Sequence, residues 1–569
     1  MSDTTWERKA AAKREKLLSL IPPDWRLPQP LPSPSELPCV TGKEIRQYLS
    51  PREIVMTEMD AVGIVQRTSS GEWRCEDVVR AFCHRASLAH QMISCLHEIF
   101  FQAAIEDARI LDAYYDKNKK PYGPLHGLPV SLKDSIHVKD VETSMGYVGW
   151  LGTFEGKKGT GRERVPESEI VKHLRALGAI LYVKTSVPQG SFSGETVNHI
   201  IGQTPNPHNR KLVVGGSSGG EGGLIALRGS PIGLGTDIGG SIRVPAGWND
   251  CYGLRPSTGR LPYEGIASTL DGQPSIPFVV GPLANSAADL TFIMKALLSM
   301  QPLKSDPMSH EAPWRDNRYS EIRRRFRGSG ESLSFGVLVS DGMVNPQPPV
   351  LRALLETVDL IQSLGHNVIK WDPPSHVQAI KIWVKLRDTC LIDGGNAFHE
   401  ALALSGEPPT PTIFGPHPST PVDACTAMKR NIALCDFRKA YLDYWNGTAS
   451  LTGTSRPVDA LIMPFNQGPP PAAGKVRYMG YTCAINVLDY PASVIPVTRV
   501  RKDMDIYPDG YSSLNQTDRL VHEDYDRELL DGAPVGVQLV GRRLQEETVL
   551  ALTEEIGHEL AKHQGQPRI

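Results

Sequence analysis

Little in this sequence suits the cell exterior, a membrane or a nucleic acid. Nine cysteines in 569 residues form no C-x-x-C pair and are odd in number, which argues against a disulfide framework, a zinc ribbon or a thioredoxin-type centre and predicts a reducing, cytoplasmic setting. No H-E-x-x-H motif offers a metal site. No run of about 20 apolar residues predicts a transmembrane segment, and residues Met1 to Lys9 begin no apolar secretion signal. Charge of one sign is missing as well. The 61 Lys+Arg against 63 Asp+Glu leave a net −2, no overall field for nucleic acid or an anionic surface. The sequons at Asn446 and Asn515 then read as chance matches.

What is present is a 40% hydrophobic chain with 52 Gly and 46 Pro, enough for a large soluble core threaded by sharp turns. Residues 4–21 read as an exposed helix, and seven prolines between Pro22 and Pro38 read as a stiff arm wrapping the body. From Glu76 to Asp112 the residues Val78, Val79, Phe82, Ala86, Ala89, Met92 and Leu96 recur at helical spacing, predicting one or two core helices. Leu128–Leu132, the helix stripe Ile170, Val171, Leu174 and Leu177, and Ala179–Val183 then make a strand, helix, strand unit. The unit recurs as Phe335–Val339, a helix over 350–364 and Val368-Ile369. Ser286-Ala-Ala-Asp289 reads as a capping box, 535–540 as a buried strand, and Val549, Leu552, Ile556 and Leu560 as a final helix face. Such alternation predicts α/β: one large domain with a twisted mixed, largely parallel central sheet covered by helices on both faces. The division is 1–40 for the arm and 41–569 for the body, whose core lies at about 120–300.

The densest chemistry lies in Gly215-Gly-Ser217-Ser218-Gly-Gly-Glu221 and Gly235-Thr-Asp237-Ile-Gly239-Gly240-Ser241-Ile-Arg243. Serine hydroxyls among glycines supply what acyl transfer needs, a nucleophile and close backbone N–H donors for a developing oxyanion. Other readings stay open on residue types alone. A phosphate loop would need Lys where Glu221 stands, and Gly233-x-Gly235-x-x-x-Gly239 narrowly misses the dinucleotide fingerprint. Ser217 and Ser218 both fit the G-x-S-x-G elbow of α/β-hydrolases, which also needs an acid and a histidine. A purely structural glycine turn is the fourth.

Gly127-Leu-Pro-Val-Ser-Leu-Lys133-Asp134, Gly202–Pro207, the two segments above, Tyr252–Pro256, Gly281–Ser286 and Pro534–Gly541 together resemble the amidase signature family, serine hydrolases with a Ser, cis-Ser, Lys triad. Ala81–Ala86 and His90-Gln91 are similar to its fungal, acetamidase-like branch. The resemblance implies Ser241 as nucleophile, Ser217, preceded by a cis bond, as proton relay, and Lys133 as base. It implies an oxyanion hole of the Ile238, Gly239, Gly240 and Ser241 N–H groups, with Ser191 and Ser218 beside the substrate. A lysine is a base only when neutral, so burial beside Val130 and Leu132 must bring its pKa of about 10.4 down to roughly 7 to 8. Asp237 and Arg243 read as framework, and Cys251 as a buried structural thiol. Two departures bear on the pocket. Trp248-Asn-Asp250-Cys251 replaces the branch's Phe-Asn-Gly, and Gly190-Ser191-Phe192 lacks a larger apolar residue, predicting a more open or more polar acyl site. The expected activity is cofactor-free and metal-free hydrolysis of a small carboxylic amide to acid plus ammonia or amine. Fatty acid amide or ester hydrolysis, a glutaminase subunit and a non-catalytic binding relative are the alternatives. Partners reduce to the substrate and, at most, a second copy of the chain in a homodimer.

Overall fold

Along the chain, the strands of the central sheet are β1 (Leu96–Ile99), β2 (Pro129–Lys133), β3 (Ile180–Thr185), β4 (Ile232–Asp237), β5 (Tyr252–Arg255), β6 (Val279–Ala284), β7 (Ser334–Val337), β8 (Asn367–Lys370), β9 (Ala460–Met463), β10 (Ala492–Arg499) and β11 (Pro534–Val540). They are seen in a computed structural model that describes residues 5–390, 393–413 and 420–563. The spatial order is β1-β3-β2-β4-β6-β5-β10-β11-β9-β7-β8. The mixed sheet flanked by helices agrees with the sequence reading, but "largely parallel" does not hold. Four pairings are parallel, in the groups β3-β2-β4 and β9-β7-β8, and six are antiparallel. Antiparallel neighbours need no crossover helix, so the middle of the sheet leaves no strand-helix alternation to read.

The two strand, helix, strand units fall close to their expected places. β2, the helix Glu169–Ala176 and β3 form one; β7, the helix Pro348–Ser363 and β8 form the other. The stretch 76–112 divides into helices Cys75–Ile93 and Phe101–Asn118, but Leu96 belongs to β1 rather than to a helix face. Ser94 ends the first helix in a left-handed conformation (φ 51°), and the four residues of β1 pair with β3. Ser286 caps the helix Ala287–Ser299 through the Asp289 N–H (3.1 Å). The capping box is only half made, because the Asp289 carboxylate accepts from the N–H groups of Ala61 and Val62 instead.

The N-terminal helix Thr5–Ser19 is docked, not freely exposed; residue 4 lies outside the described residues. Ala10, Lys13 and Leu17 are buried, and the Lys13 ammonium donates to Glu98 and to Glu142 (2.8 Å). The proline arm follows the body as expected: the Arg210 N–H donates to Pro38 O (2.7 Å) and the Val40 N–H to Pro207 O (2.9 Å), while Trp25 stacks on His84.

One helix decides where the site lies. Gly219–Ala226 carries glycine at 219, 220, 222 and 223, a poor helix sequence at about 1 kcal/mol per glycine relative to alanine. Packing explains the choice. A Cβ on Gly220 would strike the Ser186 N–H and Cys95 O, and one on Gly222 would meet Pro245 O at 2.8 Å. The helix therefore lies directly on β2, β3 and β4.

Candidate active site

Lys133 ends β2 and Thr236 is the penultimate residue of β4. These strands are parallel neighbours, so both side chains meet at the carboxyl ends of the sheet, where open α/β sheets bind ligands. Strand alternation puts Ser131 and Lys133 on one face and Val130 and Leu132 on the other, so the apolar neighbours named from sequence are not what covers the amine. The glycine-rich helix and its preceding loop cover it.

The Lys133 amine is fully buried and among the described residues hydrogen-bonds only hydroxyls, Ser217 Oγ at 2.6 Å and Thr236 Oγ1 at 2.7 Å. Burial brings its pKa down to about 7, while the charges of Asp237 and Glu221 partly oppose the fall. That change disfavours the ammonium by about 5 kcal/mol. Glu221 is itself buried under Ser131 Oγ (2.5 Å) and Thr185 Oγ1 (2.8 Å), and burial raises its carboxyl to about 7. The Gly216–Ser217 peptide is cis, as the resemblance implied.

Ser241 lies beyond the tip of β4, its hydroxyl facing a cavity. Its carbonyl accepts the Ser218 N–H (3.1 Å), which ties the two serine segments together. Among the described residues Ser241 Oγ makes no hydrogen bond to Ser217; catalytic hydrogen bonds commonly tighten only when substrate is bound. Asp237 organises the turn. Its carboxylate accepts from the N–H groups of Gly240 (2.9 Å) and Ile242 (3.2 Å), from Asn486 Nδ2 (2.8 Å) and from two nitrogens of buried Arg243 (3.1 Å each). Burial would raise the Asp237 carboxyl, but Arg243 overrides it and holds it well below the usual carboxylate range. Both residues are framework, as read from sequence. Gly240 takes φ +120°, and a Cβ there would collide with Thr482.

This turn corrects the expected oxyanion hole. The Gly240 N–H is committed to Asp237, whereas the N–H groups of Ile238, Gly239 and Ser241 have no protein partner among the described residues. Three donors therefore remain for a developing oxyanion. Ser218 is the second correction. Its hydroxyl meets the Thr236 backbone N–H and O at 3.4 Å and lines neither cavity, so it braces β4 rather than facing substrate.

Two adjoining cavities share Ser191, Phe192, Ile238 and Leu270 as common wall. The first, about 80 Å³, reaches Ser241 and Gly239 and is closed by Ile276, Trp383, Met479 and Cys483. Its lining is mostly apolar, against the expectation of a more polar acyl site. Trp383, on the helix His376–Cys390, packs over Gly239, and its indole N–H donates to Ile238 O (3.3 Å); the space beside Gly190 is taken by Tyr147 and Phe192. The second cavity, about 30 Å³, lies on the Thr236 side. Ser191 lines both. Trp248 and Asn249, suspected of altering the pocket, instead brace backbone at Gly468 and Val214, and Cys251 is buried against Asn249 O (3.2 Å). A larger open cleft at Arg352 and Glu356 holds none of these groups, so chemistry rather than size identifies the site. Thr236 and Trp383 were missed from sequence. Strand register beside Lys133 could have suggested Thr236; Trp383 lies in the atypical 370–440 stretch, part of which falls outside the described residues, and carries no local signal.

No histidine hydrogen-bonds Ser217, Ser218 or Ser241 among the described residues, whereas Lys133 bonds Ser217 directly. No cluster of three or more metal-ligating side chains and no helix long and apolar enough to cross a membrane occurs among them.

A family model described as Amidase matches residues 77–550. Two similar relatives are the acetamidases of Aspergillus oryzae, 40% identical over 98% of this chain and 99% of the relative, and of Emericella nidulans, 40% identical over 97% and 98%. A solved structure of a fatty acid amide hydrolase superposes with TM-score 0.88 at 31% identity, covering 98% of this chain and 95% of that one. A 6-aminohexanoate cyclic dimer hydrolase, 19% identical with TM-score 0.69 over 90% and 99%, shares the fold. The chain belongs to the amidase signature family of hydrolases.

Proposed function

We propose that this enzyme hydrolyses a small carboxylic amide through an acyl-enzyme on Ser241, with Ser217 as relay and Lys133 as base. The observation that carries the reading is the Lys133 amine: buried, touching only hydroxyls, 2.6 Å from Ser217 Oγ and brought to about 7, near the optimum for general-base work at neutral pH. Neutral Lys133 takes the Ser217 proton while Ser217 takes that of Ser241. Ser241 Oγ bonds to the amide carbon, and the carbonyl electron pair moves to an oxygen held by the free N–H groups of Ile238, Gly239 and Ser241. Collapse restores the carbonyl and breaks the C–N bond. Ser217 gives its proton to the departing nitrogen and is refilled from the Lys133 ammonium. Water repeats the cycle on the ester, releasing the acid and regenerating Ser241 and neutral Lys133.

The acyl group faces Trp383, Ile276 and Met479 in about 80 Å³, which favours a short chain and accords with the acetamidase relatives. Fatty acid amide or ester hydrolysis is the second reading, favoured by the 0.88 TM-score. A hydrolysis screen over acyl chain lengths separates them. Trp383→Ala should improve a four- to six-carbon amide relative to acetamide by about 10-fold or more, from the worth of a few buried methylenes. A fluorophosphonate should label Ser241, read by peptide mass spectrometry; an adduct on Ser217, Ser218 or Cys251 instead would contradict the assignment. The arm 1–40 belongs to this proposal as a clamp on the catalytic body 41–569. A cytoplasmic setting is supported by eight cysteines that form no disulfide among the described residues.

A further inference from the structure

The second cavity has a character unlike the first. Ser135, two residues beyond Lys133, is only 3% exposed and faces this space, yet its hydroxyl has no hydrogen-bond partner among the described residues, and neither does that of Ser191. Their backbones are fixed. Ser135 O accepts the Ala267 N–H (2.9 Å), the Ser191 N–H donates to Pro188 O (2.9 Å), and Ser191 holds φ +63°. Tyr263 and Phe278, stacked at 5.9 Å, close the far wall. Leaving a buried hydroxyl unpaired costs about 1–3 kcal/mol, so two facing one space point to a small polar occupant. At about 30 Å³ the space has room for a molecule the size of water or ammonia.

Its position says which molecule. Thr236 lines the cavity and holds the Lys133 amine, which is bonded to Ser217. On the mechanism proposed above, on which this inference rests, Ser217 protonates the departing nitrogen, so that nitrogen leaves on this side. We propose that the cavity is a subsite for ammonia and then for the hydrolytic water, with the Ser135 and Ser191 hydroxyls as its partners, and that the enzyme is accordingly selective for primary amides. Met145, Tyr263 and Phe278 line the same small space, so an N-alkyl group would compete with them for it. Ser135 touches the nucleophilic water in the second half-reaction; elsewhere it is a positioning residue.

The test uses the full chain with acetamide, N-methylacetamide and hydroxylamine. Wild type should prefer acetamide in kcat/KM by about 10- to 200-fold, the worth of one badly placed methyl group. Ser135→Ala widens the space and should lower that preference several-fold. In acyl transfer it should raise the hydroxamate-to-acid ratio several-fold, because water loses its partner while the larger nucleophile gains room. Ser135→Thr should move both ratios the other way. A purely structural Ser135 would lower rates and leave both ratios alone. Equal use of the two amides by wild type, which needs no variant to fold, overturns the subsite, as does an unchanged ratio in Ser135→Ala. Fluorophosphonate labelling of Ser241 separates the two failures: label present with no selectivity sinks only the subsite, and no label with no hydroxamate sinks the acyl-enzyme and the subsite with it.

Discussion

Two buried lysines stand side by side at the ends of β2 and β3, where Leu132 pairs with Lys184 and Lys133 with Thr185. Neither has any exposed surface, and burial lowers both pKa values. Their neighbours differ. Lys184 lies 3.3 Å from the Asp134 carboxylate and also donates to Glu142 O and Thr143 Oγ1 at 2.7 Å. Lys133 meets only the hydroxyls of Ser217 and Thr236. Burial would raise the Asp134 carboxyl, but Lys184, His97 and Ser144 override it and hold it far below the usual range. Asp134 follows Lys133 directly, yet alternation sends it to the other lysine. A carboxylate in contact favours the charged form of Lys184, and the lack of one beside Lys133 among the described residues suits the base role proposed for it.

The comparison can be broken at several points. The largest effect belongs to Lys133→Ala, which should lower kcat/KM by about 10²- to 10⁴-fold, the usual worth of a general base, with a larger deficit at neutral than at alkaline pH. Ser217→Ala should be comparably severe. Combining the two should cost far less than the sum of their free energies, because they act as one unit; steady-state kinetics of the three variants decide this. A near-wild-type Lys133→Ala would remove the lysine from the chemistry altogether.

Lys184→Met sharpens the contrast from the other side. It removes the one lysine beside the buried Asp134 carboxylate, which keeps its Ser144 and Met145 donors, so urea unfolding should show a loss of about 3–5 kcal/mol, while the folded fraction keeps the wild-type pH dependence. The smallest effect is electrostatic. Ionised Glu221 raises the Lys133 pKa, so Glu221→Gln should move the acidic limb of the rate profile to lower pH, by no more than about one pH unit. A move to higher pH would show that Glu221 is not the charge acting there.

The sequence disclosed these groups unevenly. Lys133, Ser217 and Ser241 were readable because their segments resemble a family whose motifs are contiguous, and the amphipathic helices and parallel strands because period and alternation are local properties. Thr236 was hidden because β4, Ile232-Gly-Leu-Gly-Thr-Asp237, looks like a glycine turn until its glycines are seen to make room for Glu221 and Ser218. The commitment of the Gly240 N–H to Asp237 depends on which way one N–H points, and the apolar wall beside Ser241 depends on Trp383 arriving from 142 residues downstream. The downward shift of the Lys133 pKa comes from burial, which no motif encodes.

The most direct measurement of the central claim is the pH dependence of kcat/KM for wild type and Lys133→Ala between about pH 5 and pH 10. Deprotonation of Lys133 switches the base on, so wild-type activity should rise with pH through an apparent value near 7 and level off, and the variant should lack that limb. A limb that persists in Lys133→Ala, or a wild-type rise only near the free lysine value of about 10.4, would contradict the account.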